Sequence, residues 1–93
     1  MIPRKLAHIN GKESMPNWLK CTVTKGVFTH ERTVTVRERS GELLSVFVPA
    51  DTADEIHGRV QVRTVEREGY ALALLPDSYH SVVEVESSDL VPA

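Results

Sequence analysis

Ninety-three residues suffice for one domain with a single modest core. Cys21 is the lone cysteine, which excludes an internal disulfide. No apolar run reaches membrane-span length and Met1 to Lys12 lacks the apolar centre of a secretory signal, so the cytoplasm is the expected compartment. The net charge of −2 argues against a nonspecific phosphate binder but conceals an asymmetry: eight Lys/Arg against three Glu over residues 1–40 make +5, and three Arg against ten Asp/Glu over 41–93 make −7. Such segregation can orient a partner or join copies head to tail, unless interleaved strands mix the signs.

Residues 1–15 are polar, interrupted by Pro3 and Gly11, and lack a sustained period; they read as a flexible, dispensable leader. Met15 directly precedes the patterned chain and offers an alternative start. Trp18 to Thr24 reads as a strand, with Leu19, Cys21 and Val23 on one face and Lys20, Thr22 and Thr24 on the other. Lys25-Gly26 bends the chain, and Thr29 to Arg32 is a polar connection. Thr33 to Arg39 alternates cleanly, with Val34 and Val36 inward and Thr35, Arg37 and Arg39 outward. After a Ser40-Gly41-Glu42 turn, Leu44, Val46 and Val48 match the parity of Val34 and Val36, which asks for a three-residue loop or a bulge. Phe47 then faces the other way, as if its strand were covered on both sides.

Pro49 ends that strand, and Thr52-Ala53-Asp54-Glu55 has the form of a capping box for a helix of little more than one turn, closed by Gly58. The clearest hairpin follows. Val60, Val62 and Thr64 share one face, as do Tyr70, Leu72 and Leu74, and equal parity requires an odd loop. Arg67-Glu68-Gly69 supplies three residues with glycine at the position needing positive φ, pairing Thr64 with Leu72 and Val62 with Leu74. Pro76 to Tyr79 reads as a tight turn or one 3₁₀ turn, Ser81 to Glu86 as a last strand, and residues 88–93 as a C-terminal tail.

The fold class is therefore all-β with one short helix, in a single domain over residues 16–87. Five or six short strands cannot make a sandwich of any depth, and closing a bent sheet into a small barrel, fully or in part, removes exposed edges. Three meandering strands, a helix and a hairpin follow the order of an OB-fold. A tight hairpin, a one-turn Pro-Asp-Ser-Tyr element and a short final strand resemble the end of an SH3-like barrel, which the shortness of the helix favours. The resemblance covers roughly Trp18 to Glu86, at the level of a superfold, and implies no function.

Chemistry is sparse. His8, His30, His57 and His80 are scattered without metal-ligand spacing, and Cys21 lies on the expected core face, where a thiol is inert. No Gly-x-Ser-x-Gly elbow, Ser-x-x-Lys pair or glycine-rich phosphate loop occurs, so neither catalytic residues nor a cofactor or metal are expected. Two surfaces remain. Lys20, Arg37, Arg39, Arg59 and Arg63 form an outward basic stripe that could follow a phosphate backbone, although a platform of stacking aromatics is missing. Leu43 and Phe47, with their strand edge, could contact a protein. The reading is a non-enzymatic binding or interaction module for an unassigned protein partner, monomeric or weakly self-associating. A nucleic-acid-binding barrel is the alternative, and a small enzyme or metal-binding protein a distant third.

Overall fold

The computed structural model describes residues 14–92, with side chains from residue 16 onward. Among them lie nine strands: β1 (Ser14–Lys20), β2 (Thr22–Lys25), β3 (Glu31–Arg37), β4 (Leu43–Pro49), β5 (Ala53–Asp54), β6 (Arg59–Arg67), β7 (Tyr70–Leu74), β8 (Val82–Glu86) and β9 (Leu90–Pro92). They form two antiparallel sheets. One runs β8-β7-β6-β1-β9, with β5 also on β6, and the other runs β2-β3-β4. The chain is thus mostly β, as expected, but the strands divide between two sheets and do not close a barrel. Residues 1–13, most of the expected leader, lie outside the described residues, whereas Ser14 and Met15 already belong to β1.

The division happens at Cys21. Leu19, Cys21 and Val23 do share the core side, but the strand read from Trp18 to Thr24 breaks there and changes sheet, with the Cys21 amide donating to the Gly58 carbonyl (2.9 Å) instead of to a ladder. Leu19, Val60, Val62, Ala71, Ala73, Val83 and Val85 from the larger sheet and Val34, Val36 and Val48 from the smaller one fill a single core. Each sheet therefore turns its other face away from that core.

The β3–β4 register follows the parity of the sequence: Val34 stands opposite Val46 and Val36 opposite Leu44. The loop is odd but holds five residues, 38–42, rather than three, because β3 runs from Glu31 to Arg37 and not from Thr33 to Arg39; across it the Glu38 amide donates to the Glu42 carbonyl (2.7 Å). Phe47 points outward as read, yet it is 51% exposed, so β4 is not covered on both sides.

The β6–β7 hairpin corrects the expected register. Arg67 pairs with Tyr70, which leaves Glu68-Gly69 as a two-residue connection, with Gly69 at φ 85°. The odd three-residue loop is absent, so the parity of β7 flips: Thr64 faces Ala73, and Leu72 faces Val65. Ala71, Ala73 and Leu75 are consequently buried, while Tyr70, Leu72 and Leu74 lie half-buried on the outer face. The alanines thus occupy core positions while the larger Leu72 and Leu74 do not, an outcome that side-chain hydrophobicity alone does not reveal.

The expected helix after Pro49 is also absent. Ala50–Thr52 makes a 3₁₀ turn, Ala53 and Asp54 pair with β6, and residues 55–58 form a turn. The Thr52 hydroxyl donates back to the Pro49 carbonyl (2.7 Å) rather than capping Glu55, and Asp54 accepts from the Ile56 and His57 amides instead (3.1 Å each). A one-turn helix gains too few bonds to offset nucleation, and aspartate offers the backbone this competing turn. Pro76 to Tyr79 is a tight turn, with the His80 amide donating to the Asp77 carbonyl (3.0 Å) and the buried Asp77 carboxylate accepting from the Ser81 amide and hydroxyl. The expected tail is a strand: after a 3₁₀ turn at Ser87–Asp89, β9 pairs with β1, Leu90 opposite Leu19. No helix among the described residues is long and apolar enough to cross a membrane.

Candidate protein-contact site

Antiparallel partners point to the same side, so the outer face of β2-β3-β4 can be read in rows. Thr22, Thr35 and Ser45 make one row, Thr24, Thr33 and Phe47 the next, and Arg37 with Leu43 the end. Thr35 Oγ1 and Ser45 Oγ bond at 2.7 Å, leaving a largely uncharged hydroxyl surface. Leu43 and Phe47 stand out of it, 65% and 51% exposed and four residues apart on one edge strand. The two residues assigned from sequence to a protein contact therefore share one face.

The five cations of the expected basic stripe lie on two sheets and a loop. Lys20, Arg59 and Arg63 belong to the outer face of the larger sheet and Arg37 to that of the smaller, and these faces look away from the common core. Lys20 and Arg37 meet only at the corner made by Cys21, around a hollow of about 330 Å³ that also admits Asp89. Arg59 lies over the Trp18 ring (4.3 Å to its centroid) and bonds Asp54 (2.9 Å). Arg39, in the β3–β4 loop, lies over Tyr70 (4.3 Å) with Glu84 at 3.8 Å. Arg63 borders an apolar notch of about 400 Å³ between β1, β6 and the Pro76 turn. The opposite charges of the two chain halves also meet, through Arg39–Glu84 and through Arg32–Glu55 (3.5 Å).

Sequence reasoning missed the hub at Asp54. Its carboxylate accepts from the His57 ring (2.8 Å), from the amides of Ile56 and His57, and from Arg59. The His57 ring contributes most to holding the Asp54 carboxyl down at about 2, with the His57 amide and Arg59 adding to it and partial burial opposing. The capping-box pattern masked Asp54, because it directed attention to Thr52 and Glu55. Because the pKa is lowered in the folded state, this stabilisation is complete above the ordinary value of 3.8 and disappears as pH falls towards 2. Asp54→Asn is accordingly expected to lower the melting temperature near neutral pH, with the gap from wild type closing between about pH 4 and pH 2. Melting curves across that range check it, and a gap independent of pH would refute the assignment.

Cys21 is half-buried and its thiol is pushed up to about 11 by burial, which disfavours a nucleophilic thiolate. No group of three or more His, Cys, Asp or Glu side chains converges among the described residues. The apolar notch holds Arg63 and His80 as its ionisable residues, with no carboxylate in its walls. No protein-family model matches the chain, and searches of curated proteins and of solved structures return no match.

Proposed function

We propose that this chain is a non-enzymatic interaction module that contacts another protein through the outer face and edge of β4. The observation carrying this reading is the pair Leu43 and Phe47, both exposed on a strand with no charged residue from Leu43 to Pro49. Isolated surface apolars are ordinary, but two large ones on one face of an uncharged edge strand cost solubility unless they are used. In architecture we favour a bent, partly open barrel of SH3-like kind over an OB-like one. The chain continuing from β1 into β2, the tight β6–β7 hairpin and the short turn before β8 support that choice. A cytoplasmic setting accords with the single unpaired Cys21.

Binding of nucleic acid through the basic stripe has less support, since Arg39 and Arg59 are held by Glu84 and Asp54 and the remaining cations are divided between two outward faces. The two readings part on salt. A phosphate contact weakens steeply as salt rises, whereas an apolar contact does not. We expect no binding of a mixed-sequence single-stranded oligonucleotide by fluorescence anisotropy at physiological salt, and no change when Arg37, Arg39 and Arg63 are replaced by serine. Micromolar or tighter binding that the triple substitution abolishes would replace the protein-contact reading with the nucleic-acid one. A binary complex reconstituted from purified components, retained at high salt and lost in the Leu43→Ser/Phe47→Ser variant, is the result the favoured reading requires.

A further inference from the structure

The free edges of the described sheets are guarded to different degrees, and β4 is the longest and least guarded of them. β8 carries Glu84 and Glu86, and its Glu84 carbonyl is taken by the Arg39 amide (2.7 Å). β9 has three residues and ends in Pro92, and β2 has four and ends in Lys25. Charge, proline and shortness are the usual means of blocking strand addition. β5 has only two residues, whereas β4 has seven, pairs only with β3 among the described residues and is uncharged throughout; its one blocking residue, Pro49, stands at the strand end and leaves Leu43 to Val48 open.

We propose that β4 pairs antiparallel with β4 of a second copy of this chain about a two-fold axis at Ser45, joining two three-stranded sheets into one of six strands. The inference rests on the β4 contact reading and names its partner. Backbone phase carries the argument. The Ala50 amide donates to the His30 carbonyl (2.8 Å) and the Glu38 amide to the Glu42 carbonyl, so the bonded pairs of the ladder fall at Arg32/Val48, Val34/Val46 and Val36/Leu44. Leu43, Ser45 and Phe47 therefore direct their amides and carbonyls to the free edge. A two-fold register centred on Ser45 places Leu43 opposite Phe47 of the second copy and Ser45 opposite itself. These are three bonded pairs exchanging two hydrogen bonds each, six in all.

Side chains select the same register. Opposed residues share a face, so each exposed Phe47 covers the other copy's exposed Leu43, and the half-buried Leu44 and Val46 meet on the core side. A slip of one residue sets edge-directed groups against groups already bonded within each sheet. A slip of two places Phe47 opposite Gly41, or Leu43 opposite Pro49, which has no N–H to exchange. Matching of a surface to itself is what an isologous dimer requires.

The test is the mass of the intact protein by light scattering and sedimentation, over roughly a hundredfold range of concentration reaching the high micromolar. A species of twice the 10.4 kDa chain mass is expected. Ser45→Pro removes an edge-directed amide while leaving the ladder to β3 bonded, and Leu43→Lys and Phe47→Glu each set a charge opposite an apolar residue. Each is expected to raise the dissociation constant at least about tenfold with an unchanged circular-dichroism spectrum. Mixing the Leu43→Lys and Phe47→Glu proteins should restore dimers, because the introduced lysine then faces the introduced glutamate. A wild-type monomer at every concentration would overturn self-pairing while leaving the β4 contact reading to its own binary test. A dimer surviving all three substitutions would place the self-association on another surface and overturn pairing through β4, again leaving the β4 contact reading to its binary test. A dimer lost in the single variants and not restored on mixing would overturn the Ser45-centred register.

Discussion

Leu19→Ala is expected to lower the free energy of unfolding by about 2–5 kcal/mol, the usual range for truncating a fully buried leucine. Leu19 is 1% exposed and stands between Val60 on β6 and Leu90 on β9, at the last core position before the chain changes sheet. The cavity would open where the two sheets join, with little freedom to collapse because the backbone there is held by the Cys21–Gly58 bond. A chain of this size has a total stability of roughly 5–14 kcal/mol, so the loss is a large fraction of the whole. The melting temperature should fall by about 10 °C or more. Val82→Ala, at a β8 residue that is 60% exposed, should change it by no more than a few degrees. Equal shifts in the two variants would mean that Leu19 does not hold the common core.

Gly58→Val is the second large effect. Gly58 adopts φ 66°, its amide donates to the Asp54 carbonyl (2.9 Å), and its carbonyl receives the Cys21 amide. A β-branched residue in this left-handed conformation costs about 1–3 kcal/mol. In addition, its Cβ would lie 3.0 Å from the Cys21 carbonyl oxygen, a backbone atom that cannot swing aside. Gly69 also has positive φ, but a Cβ there meets nothing within 4 Å. Gly69→Val should therefore incur only that same conformational cost, without the clash, and unfold at a higher denaturant midpoint than Gly58→Val. The reverse order of midpoints would show that the Gly58 turn does not clamp the sheet switch.

These two positions differ in how far they could be read in advance. Leu19 is legible as core because alternation with Cys21 and Val23 names its face, and the same parity names Val34, Val36, Leu44, Val46 and Val48. Gly69 is legible as a turn glycine at positive φ. The role of Gly58 is not, since its contact with Cys21 exists only after the two sheets have come together. For the candidate site, parity places Leu43 and Phe47 on one face, yet their exposure depends on whether any other element covers that face.

What the sequence by itself determined is the alternation within each strand and the odd parity, though not the length, of the loop between β3 and β4, because both follow from a two-residue period. Only the tertiary structure decided three further matters. A change of one residue in the Gly69 turn exchanged the two faces of β7, so that Ala71 and Ala73 point into the core and Leu72 and Leu74 outward. At Cys21 a bend preserved the alternation while carrying the chain from one sheet to the other, so its pattern is the same for one strand as for two. The cations that look like one stripe in a list of outward positions belong to two sheets and a loop, Lys20, Arg59 and Arg63 to the larger sheet, Arg37 to the smaller and Arg39 to the β3–β4 loop. Period-two patterning specifies which side of its own strand a residue occupies, and the packing of the sheets specifies where that side points.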